Sequence, residues 1–307
     1  MRRAEKQPPM SHTAIVTIHA SQFPEAVQRD LLESLRKREV NHKFHYDSVK
    51  QTQQWLALHQ ACSPSRNDPD CAAIYDRSFA VAAKLVKVGR AHVIGLGCGG
   101  GQKDTRLLKL LRDAGKDVSY TPCDVSVAMV LVARQAALSV VADKNCFPFV
   151  CDLASAGDVP EALARLGPPD AARLITFFGM IPNFEPAVIL PKLAALVRAR
   201  DLLLCSANLA PGADYAAGVD HILPQYDNAL TRDWLLTFLL DLGVERGDGE
   251  LRFSVEENAG LRKVAARFHF AHGRTIQVEN EPFLFKPASR RGVTTNPRHC
   301  HQWCPTR

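Results

Sequence analysis

The sequence predicts an α/β protein: a mostly parallel sheet flanked by helices, a C-terminal antiparallel hairpin, and a mainly helical cap ahead of the sheet. Three observations predict it. From residue 91 onward, short apolar runs alternate with amphipathic segments, the pattern of a parallel sheet wound by helices. The first such run ends in Gly97-Cys98-Gly99-Gly100-Gly101, a turn before a new helix. About 90 residues precede it, and they carry helical rather than strand periodicity.

Residues 1–20 lack periodicity and are expected to form a disordered tail. A helix is expected from Ser21-Gln22-Phe23-Pro24-Glu25, because Ser21 or Gln22 suits a cap and Pro24 suits a first turn. Ala26, Val27, Leu31, Leu32 and Leu35 supply its apolar stripe. A second helix is expected after Asp47, through Trp55 and Leu58, and a third over about residues 71–88. Between them, residues 63–70 are rich in Ser, Pro, Asn and Asp and read as a loop. Residues 21–88 thus form the helical cap.

Strands are expected at 91–96, 118–123, 147–151, 173–178 and 201–206. Helices at about 103–114, 126–141, 158–166 and 186–199 separate them, which defines a sheet domain over residues 89–210. After residue 208 the alternation stops. Helices near 215–222 and 227–242 suggest a second cap segment over residues 211–260. Two strands, 261–271 and 274–286, are joined by His272-Gly273 and are expected to pair with each other. As a hairpin over 261–287 they would complete the sheet. Residues 288–307 read as a basic disordered tail.

Composition excludes several classes of function. Hydrophobic residues at 46% and charged residues at 23% are those of a soluble globular protein. No apolar run reaches the ~20 residues of a bilayer crossing. The first nine residues lack the apolar core of a signal peptide. The expectation is a cytoplasmic protein with no membrane partner. The net charge of +6 resides in the ends, +2 over residues 1–10 and +4 over residues 287–307. A formally neutral body lacks the basic face of a nucleic-acid reader, which leaves a small-molecule substrate. Nine cysteines without a paired framework read as reduced thiols. The sequence His299-Cys300-His301-Gln302-Trp303-Cys304 crowds four potential ligands into six residues with no second half. That is a poor tetrahedral site, so no metal is expected.

The glycine turn is ambiguous by itself. Gly95-x-Gly97-x-x-Gly100 fits a dinucleotide fingerprint, whereas Gly97-x-Gly99-x-Gly101 fits the looser turn of S-adenosylmethionine enzymes. Asp124, 27 residues after Gly97, could accept ribose hydroxyls in either class. Asp152 favours S-adenosylmethionine, because a carboxylate after the third strand can accept from an adenine amino group. The polar helix start, Gln102-Lys103-Asp104-Thr105, and the long N-terminal cap point the same way.

These residues carry a resemblance. The motifs G-C-G-G-G-Q-K (97–103), C-D-V-S (123–126), C-D-L (151–153) and F-F-G-M-I-P-N-F-E-P (177–186) resemble the histidine-specific S-adenosylmethionine-dependent methyltransferase family. K-F-H-Y-D (43–47) and A-I-Y-D-R (73–77) match more loosely, and the likeness spans about residues 40–286. It implies a Rossmann-like class I methyltransferase sheet with S-adenosyl-L-methionine as cofactor. Gly97, Gly99, Gly101 and Lys103 would meet the cofactor's amino-acid arm at the turn, and Gly179 would join them from the F-F-G motif. Asp124 would hold the ribose, and Asp152 with Leu153 the adenine. Tyr46 and Tyr75 would orient the acceptor amine, while Asn183 and Tyr226 would hold a carboxylate.

Two departures widen the acceptor class. Gly95 stands where the family carries an acid, and Val278-Glu279-Asn280-Glu281-Pro282 lacks the serine of the family's ring-binding element. Glu279 and Glu281 become candidates to face a cationic substrate. The resulting expectation is N-methylation of a small amine or amino acid, a histidine-like acceptor included. Two alternatives stay open: an NAD(P)-dependent oxidoreductase using residues 95–100, and a non-catalytic S-adenosylmethionine-binding protein. His42, His45 and His59 are expected to pack or face solvent.

Overall fold

The structure is a computed structural model that describes residues 13–207, 210–258, 261–287 and 293–300. It opens with β1 (Thr17–Ile18), α1 (Pro24–Lys37), β2 (Glu39–Val40), α2 (Val49–Cys62), the short α3 (Pro64–Asn67) and α4 (Pro69–Leu85). Proline occupies the first helical position of α1 and α4, where its missing N–H costs nothing. The expected caps of α1 lie instead in a 3-10 turn, Ala20–Gln22, and Phe23 precedes the helix without a side-chain bond. Ser48 and Gln51 form a reciprocal capping box on α2.

The alternating units follow as β3 (Arg90–Leu96), α5 (Gln102–Asp113), β4 (Asp117–Asp124), α6 (Val127–Ala137), β5 (Phe149–Val150), α7 (Val159–Ala164), β6 (Ala172–Phe178), α8 (Pro186–Leu196) and β7 (Leu202–Ser206). They form a six-stranded sheet in the order β1-β5-β4-β3-β6-β7, parallel throughout. Every residue of β3 except Arg90 is buried. Val93 packs with Leu107, Leu108 and Leu111 on one face, and Ile94 and Leu96 pack with Phe177 and Ile189 on the other. Burial on both faces is why these strands read as continuous apolar runs. This is the Rossmann-like α/β arrangement that the resemblance implies. The chain steps outward through β4 and β5, then reverses through β6 and β7, so a crevice opens at the carboxyl ends beside β3.

The rest of the chain is α9 (Tyr215–Tyr226), α10 (Ala229–Asp241), β8 (Gly249–Asn258), β9 (Leu261–Phe270), β10 (Arg274–Val278), β11 (Glu281–Phe285) and β12 (Val293–Cys300). Here the expectations need correction. Strands β9 and β10 do not pair with each other. β9 pairs antiparallel with β8, which sequence reading missed, and β10 pairs with β11 in a two-stranded sheet. Neither joins the parallel sheet, because their apolar residues have a core of their own. Phe268, Phe270, Ile276, Phe283 and Phe285 pack with Trp234 and Phe238 of α10 and with Leu35, Val40, Phe44 and Leu58 of the N-terminal cap. Both ends of the expected tails are also recruited. Residues 17–18 add β1 to the edge of the parallel sheet, and residues 293–300 form β12 between β2 and β9. Residues 1–12 and 301–307 lie outside the described residues. Among those described, no helix is long and apolar enough to cross a membrane, no cluster could hold a metal ion, and the cysteines from Cys62 to Cys205 are free thiols.

The second core rests on Trp234. Its side chain is fully buried, its ring packs against those of His45 and Tyr46, and its Nε1 donates to the carbonyl of His45 at 2.7 Å. Trp234→Ala should therefore cost about 3–5 kcal/mol, read as a lowered midpoint in urea unfolding. A loss well under 1 kcal/mol would show that the cap does not depend on this ring.

Candidate active site

The crevice begins where β3 runs out. Gly97, Gly99 and Gly101 all adopt positive φ, at 63°, 50° and 73°, which side chains disfavour. All three also need the absence of a Cβ for space. At Gly97 one would strike the side chain of Met180, and at Gly99 that of Trp55. The turn then feeds α5, whose first N–H groups point toward the crevice as helix N-termini do.

Asp124 ends β4 beside this turn. Its carboxylate accepts from the Gly99 N–H at 3.3 Å and the Ser126 N–H at 3.2 Å. Burial pushes its carboxyl up from the ordinary 3.8 to about 6, against the pull of those backbone donors. Lys103, in the first turn of α5, sets its ammonium 4.9 Å from the ring centroid of Tyr75 and 5.8 Å from that of Phe178. It makes no ion pair among the described residues.

The opposite wall comes from distant parts of the chain. Tyr75, on α4, shares a 2.7 Å hydrogen bond with Ser206 Oγ at the end of β7. Tyr46 follows the 3-10 turn His42–His45 and packs against Trp55 and Trp234. Asn183 lies in the 3-10 turn after β6, and its Nδ2 donates to Met180 Sδ at 3.8 Å. Tyr226 closes α9. These residues and the turn enclose one cleft of about 250 Å³.

The expected site residues fall into two groups. Gly97, Gly99, Lys103, Asp124, Leu153 and Gly179 line the cleft on the sheet side. Tyr46, Tyr75, Asn183 and Tyr226 line it with them. Four do not. Gly101 sits beneath the turn, where a Cβ would meet the backbone of Ala133. Asp152 is fully buried between Cys151 and Leu153, which line the cleft, and it does not line it itself. Its Oδ1 accepts from Ala154 N–H, and its Oδ2 lies 3.7 Å from the buried ammonium of Lys43, which also pairs with Asp30 at 2.5 Å. Lys43 thus draws that carboxylate toward the cap. Glu279 and Glu281 sit at the β10–β11 turn, outside the cleft. Glu279 has a positive φ of 50° and meets Gln28, while Glu281 pairs with Arg36 of α1 at 2.6 Å.

Sequence reading also missed residues. His42 lines the cleft, edge-on to Phe184 with ring centroids 5.0 Å apart. Burial holds its imidazole below the ordinary value, with Asp152 opposing. No periodicity announces it, because it occupies a 3-10 turn rather than an amphipathic helix. Trp55, Asp104 and Thr176 line the cleft too; their helical and strand positions read as packing residues.

The donor set fits S-adenosylmethionine. A side-chain-free turn admits close backbone approach, the Asp124 carboxylate can take ribose hydroxyls, and the Lys103 cation faces the cleft without a carboxylate. The comparisons agree. The family described as histidine-specific, S-adenosylmethionine-dependent methyltransferase matches residues 69–242, more than half of the chain, from α4 to the end of α10. No curated protein matches the chain in sequence. Among solved structures, an S-adenosylmethionine-dependent methyltransferase from Clostridium acetobutylicum is 12% identical over 80% of each chain, with a TM-score of 0.38. The O-methyltransferase TomG from Streptomyces achromogenes, solved with its cofactor, is 16% identical over 65% of this chain and 82% of its own, with a TM-score of 0.31. Likenesses this distant add nothing to the topology. The family match and the cleft lead to one conclusion: the chain belongs to the histidine-specific, S-adenosylmethionine-dependent methyltransferase family, and S-adenosylmethionine is its cofactor.

Proposed function

We propose that the chain methylates a nitrogen of a small amine or amino acid held between the cap and the glycine turn. One observation carries this reading. Tyr46, Asn183 and Tyr226 come from three separate segments and converge on one small cleft with the turn. When bound, S-adenosylmethionine supplies an already activated methyl group on sulfur. What remains for the protein is to orient the acceptor, exclude water and remove a proton.

An ammonium has no lone pair, so the acceptor must lose a proton before it can attack. The hydroxyls of Tyr46 and Tyr75 orient the amine. Tyr75 is held for this by Ser206. The neutral His42 imidazole, in the same wall, is free to take the proton. Asn183 and Tyr226 each offer a donor to an acceptor carboxylate. Asp124 holds ribose hydroxyls, and Leu153 packs against the adenine. Asp152 would serve the adenine only by exchanging its Lys43 contact.

Three outcomes test this reading. Mass spectrometry of amino-acid and small-amine mixtures incubated with labelled S-adenosylmethionine should show labelled product. Cofactor binding without turnover across a broad amine panel would leave a non-catalytic binding protein instead. Asn183→Ala should raise the acceptor KM and lower kcat/KM by about 10- to 100-fold, the value of a hydrogen bond to a charged group. S-adenosylhomocysteine affinity should stay unchanged, and a parallel loss of it would move Asn183 to the cofactor half.

The third outcome is a pH dependence. Asp124 is raised in the folded protein, so the fold binds its proton more tightly than the unfolded chain does. Its contribution to stability is therefore greatest at low pH and is lost as pH rises from about 4 to about 6. Ribose hydroxyls prefer the ionised form. Calorimetry should accordingly show S-adenosylhomocysteine affinity rising through about pH 6 and levelling above it. Asp124→Asn should be weaker and should show a smaller rise across that range. A wild-type affinity independent of pH would remove Asp124 from the ribose.

A further inference from the structure

Gly95 leaves an empty place in β3 that another residue fills. A Cβ at Gly95 would overlap Oδ2 of Asp104, which reaches back from the first turn of α5. Asp104 is only 4% exposed. Its Oδ2 accepts from Tyr120 OH at 2.7 Å, and its Oδ1 accepts from Thr176 Oγ1 at 2.7 Å. Those donors come from β4 and β6, the two neighbours of β3, so three adjacent strands position one carboxylate. An ionised carboxylate has about four acceptor sites, and these two neutral bonds leave half of them unused.

Asp104 and Thr176 both line the cleft. No lysine, arginine or histidine makes an ion pair with Asp104 among the described residues; burial pushes its carboxyl up, and the nearby charge of Lys103 opposes that. Lys103 is its chain neighbour, but consecutive helical residues diverge by about 100°. The ammonium accordingly points at Tyr75 and Phe178 instead. The cleft thus holds an acid and a cation, one residue apart, neither of which has a direct ion-pair partner among the described residues. A bound α-amino acid group supplies both missing partners, an ammonium and a carboxylate on one carbon.

We propose that Asp104 binds the α-ammonium of the cofactor's amino-acid arm, with Lys103 facing the α-carboxylate, and that Gly95 is the vacancy that lets Asp104 do so. The inference rests on S-adenosylmethionine as cofactor and is independent of the acceptor.

Two ligands separate this contact from mere scaffolding. S-adenosylhomocysteine carries the amino-acid arm, and 5′-methylthioadenosine is the same nucleoside thioether without it. In calorimetry on the full chain, Asp104→Asn should weaken S-adenosylhomocysteine by about 10- to 100-fold, as loss of a hydrogen bond to a charged group does. The affinity for 5′-methylthioadenosine should stay within about twofold, since that ligand has no group for either charge. An equal loss for both ligands, or no loss for either, would overturn the proposal. So would a wild-type protein that binds neither, which would sink the cofactor assignment as well.

The vacancy gives a second arm. Gly95→Asp with Asp104 retained should lower the melting temperature, because the two side chains compete for one space. Combined with Asp104→Thr, the same Gly95→Asp change should return the carboxylate from the strand. It should recover S-adenosylhomocysteine affinity relative to Asp104→Thr alone. A double variant that melts like wild type yet recovers nothing would refute the exchange.

Discussion

The pairing of β3 with β4 on one side and β6 on the other is the constraint on which the rest depends. Parallel strands in register end together, so three chain segments that are far apart in sequence deliver their following residues to one edge. After β3 comes the glycine turn, at the end of β4 stands Asp124, and after β6 come Gly179 and Asn183. Those strands are buried on both faces, and this rigid base holds the lip of the cleft in place. Asp104 depends on the same pairing, because its carboxylate is anchored from β4 and β6 at once.

A second hydrophobic core positions the other wall. The N-terminal cap cannot bury its apolar stripe alone. It does so against α10 and strands β8–β11 from the end of the chain, around Trp234. This contact carries Tyr46 and His42 to the cleft, since both flank the backbone carbonyl that Trp234 holds. The cap and the sheet are further tied by Lys43, whose buried ammonium lies between Asp30 of α1 and Asp152 after β5. Removing one partner of such a buried cluster leaves a charge uncompensated. Lys43 therefore links the position of the cap to Cys151 and Leu153, the cleft-lining neighbours of Asp152.

The electrostatics of the cleft are uneven in an informative way. Asp104 and Asp124 are both raised by burial and hydrogen-bonded only by neutral donors, although the nearby charge of Lys103 opposes the rise at Asp104. Lys103 makes no ion pair among the described residues and lies over aromatic rings. Arg36 and Glu281, by contrast, satisfy each other in solvent. Unpaired charges in the cleft and paired charges outside it are what a binding site and an ordinary surface should each show.

Periodicity and glycine placement determined the alternating core of the fold, the glycine turn and Asp124 beside it; the other cleft residues came from the resemblance of their motifs. Gly97, Gly99 and Asp124 sit at strand ends, and strand ends are visible wherever an apolar run stops. The same local signals could not say which strands pair. Residues 261–270 and 274–278 adjoin in sequence and suit a hairpin by composition, yet β9 chose β8, because only the folded cap offers their phenylalanines a common core. Nor could they say where a side chain turns. Asp152 looked like Asp124 in sequence, yet it is buried beside Lys43, a residue more than a hundred positions away. Asp104 looked like an ordinary helix-start acid until the missing side chain of Gly95 gave it room. Local pattern is a property of neighbours along the chain; pairing, orientation and vacancy are properties of neighbours in space, and those exist only once the chain has folded.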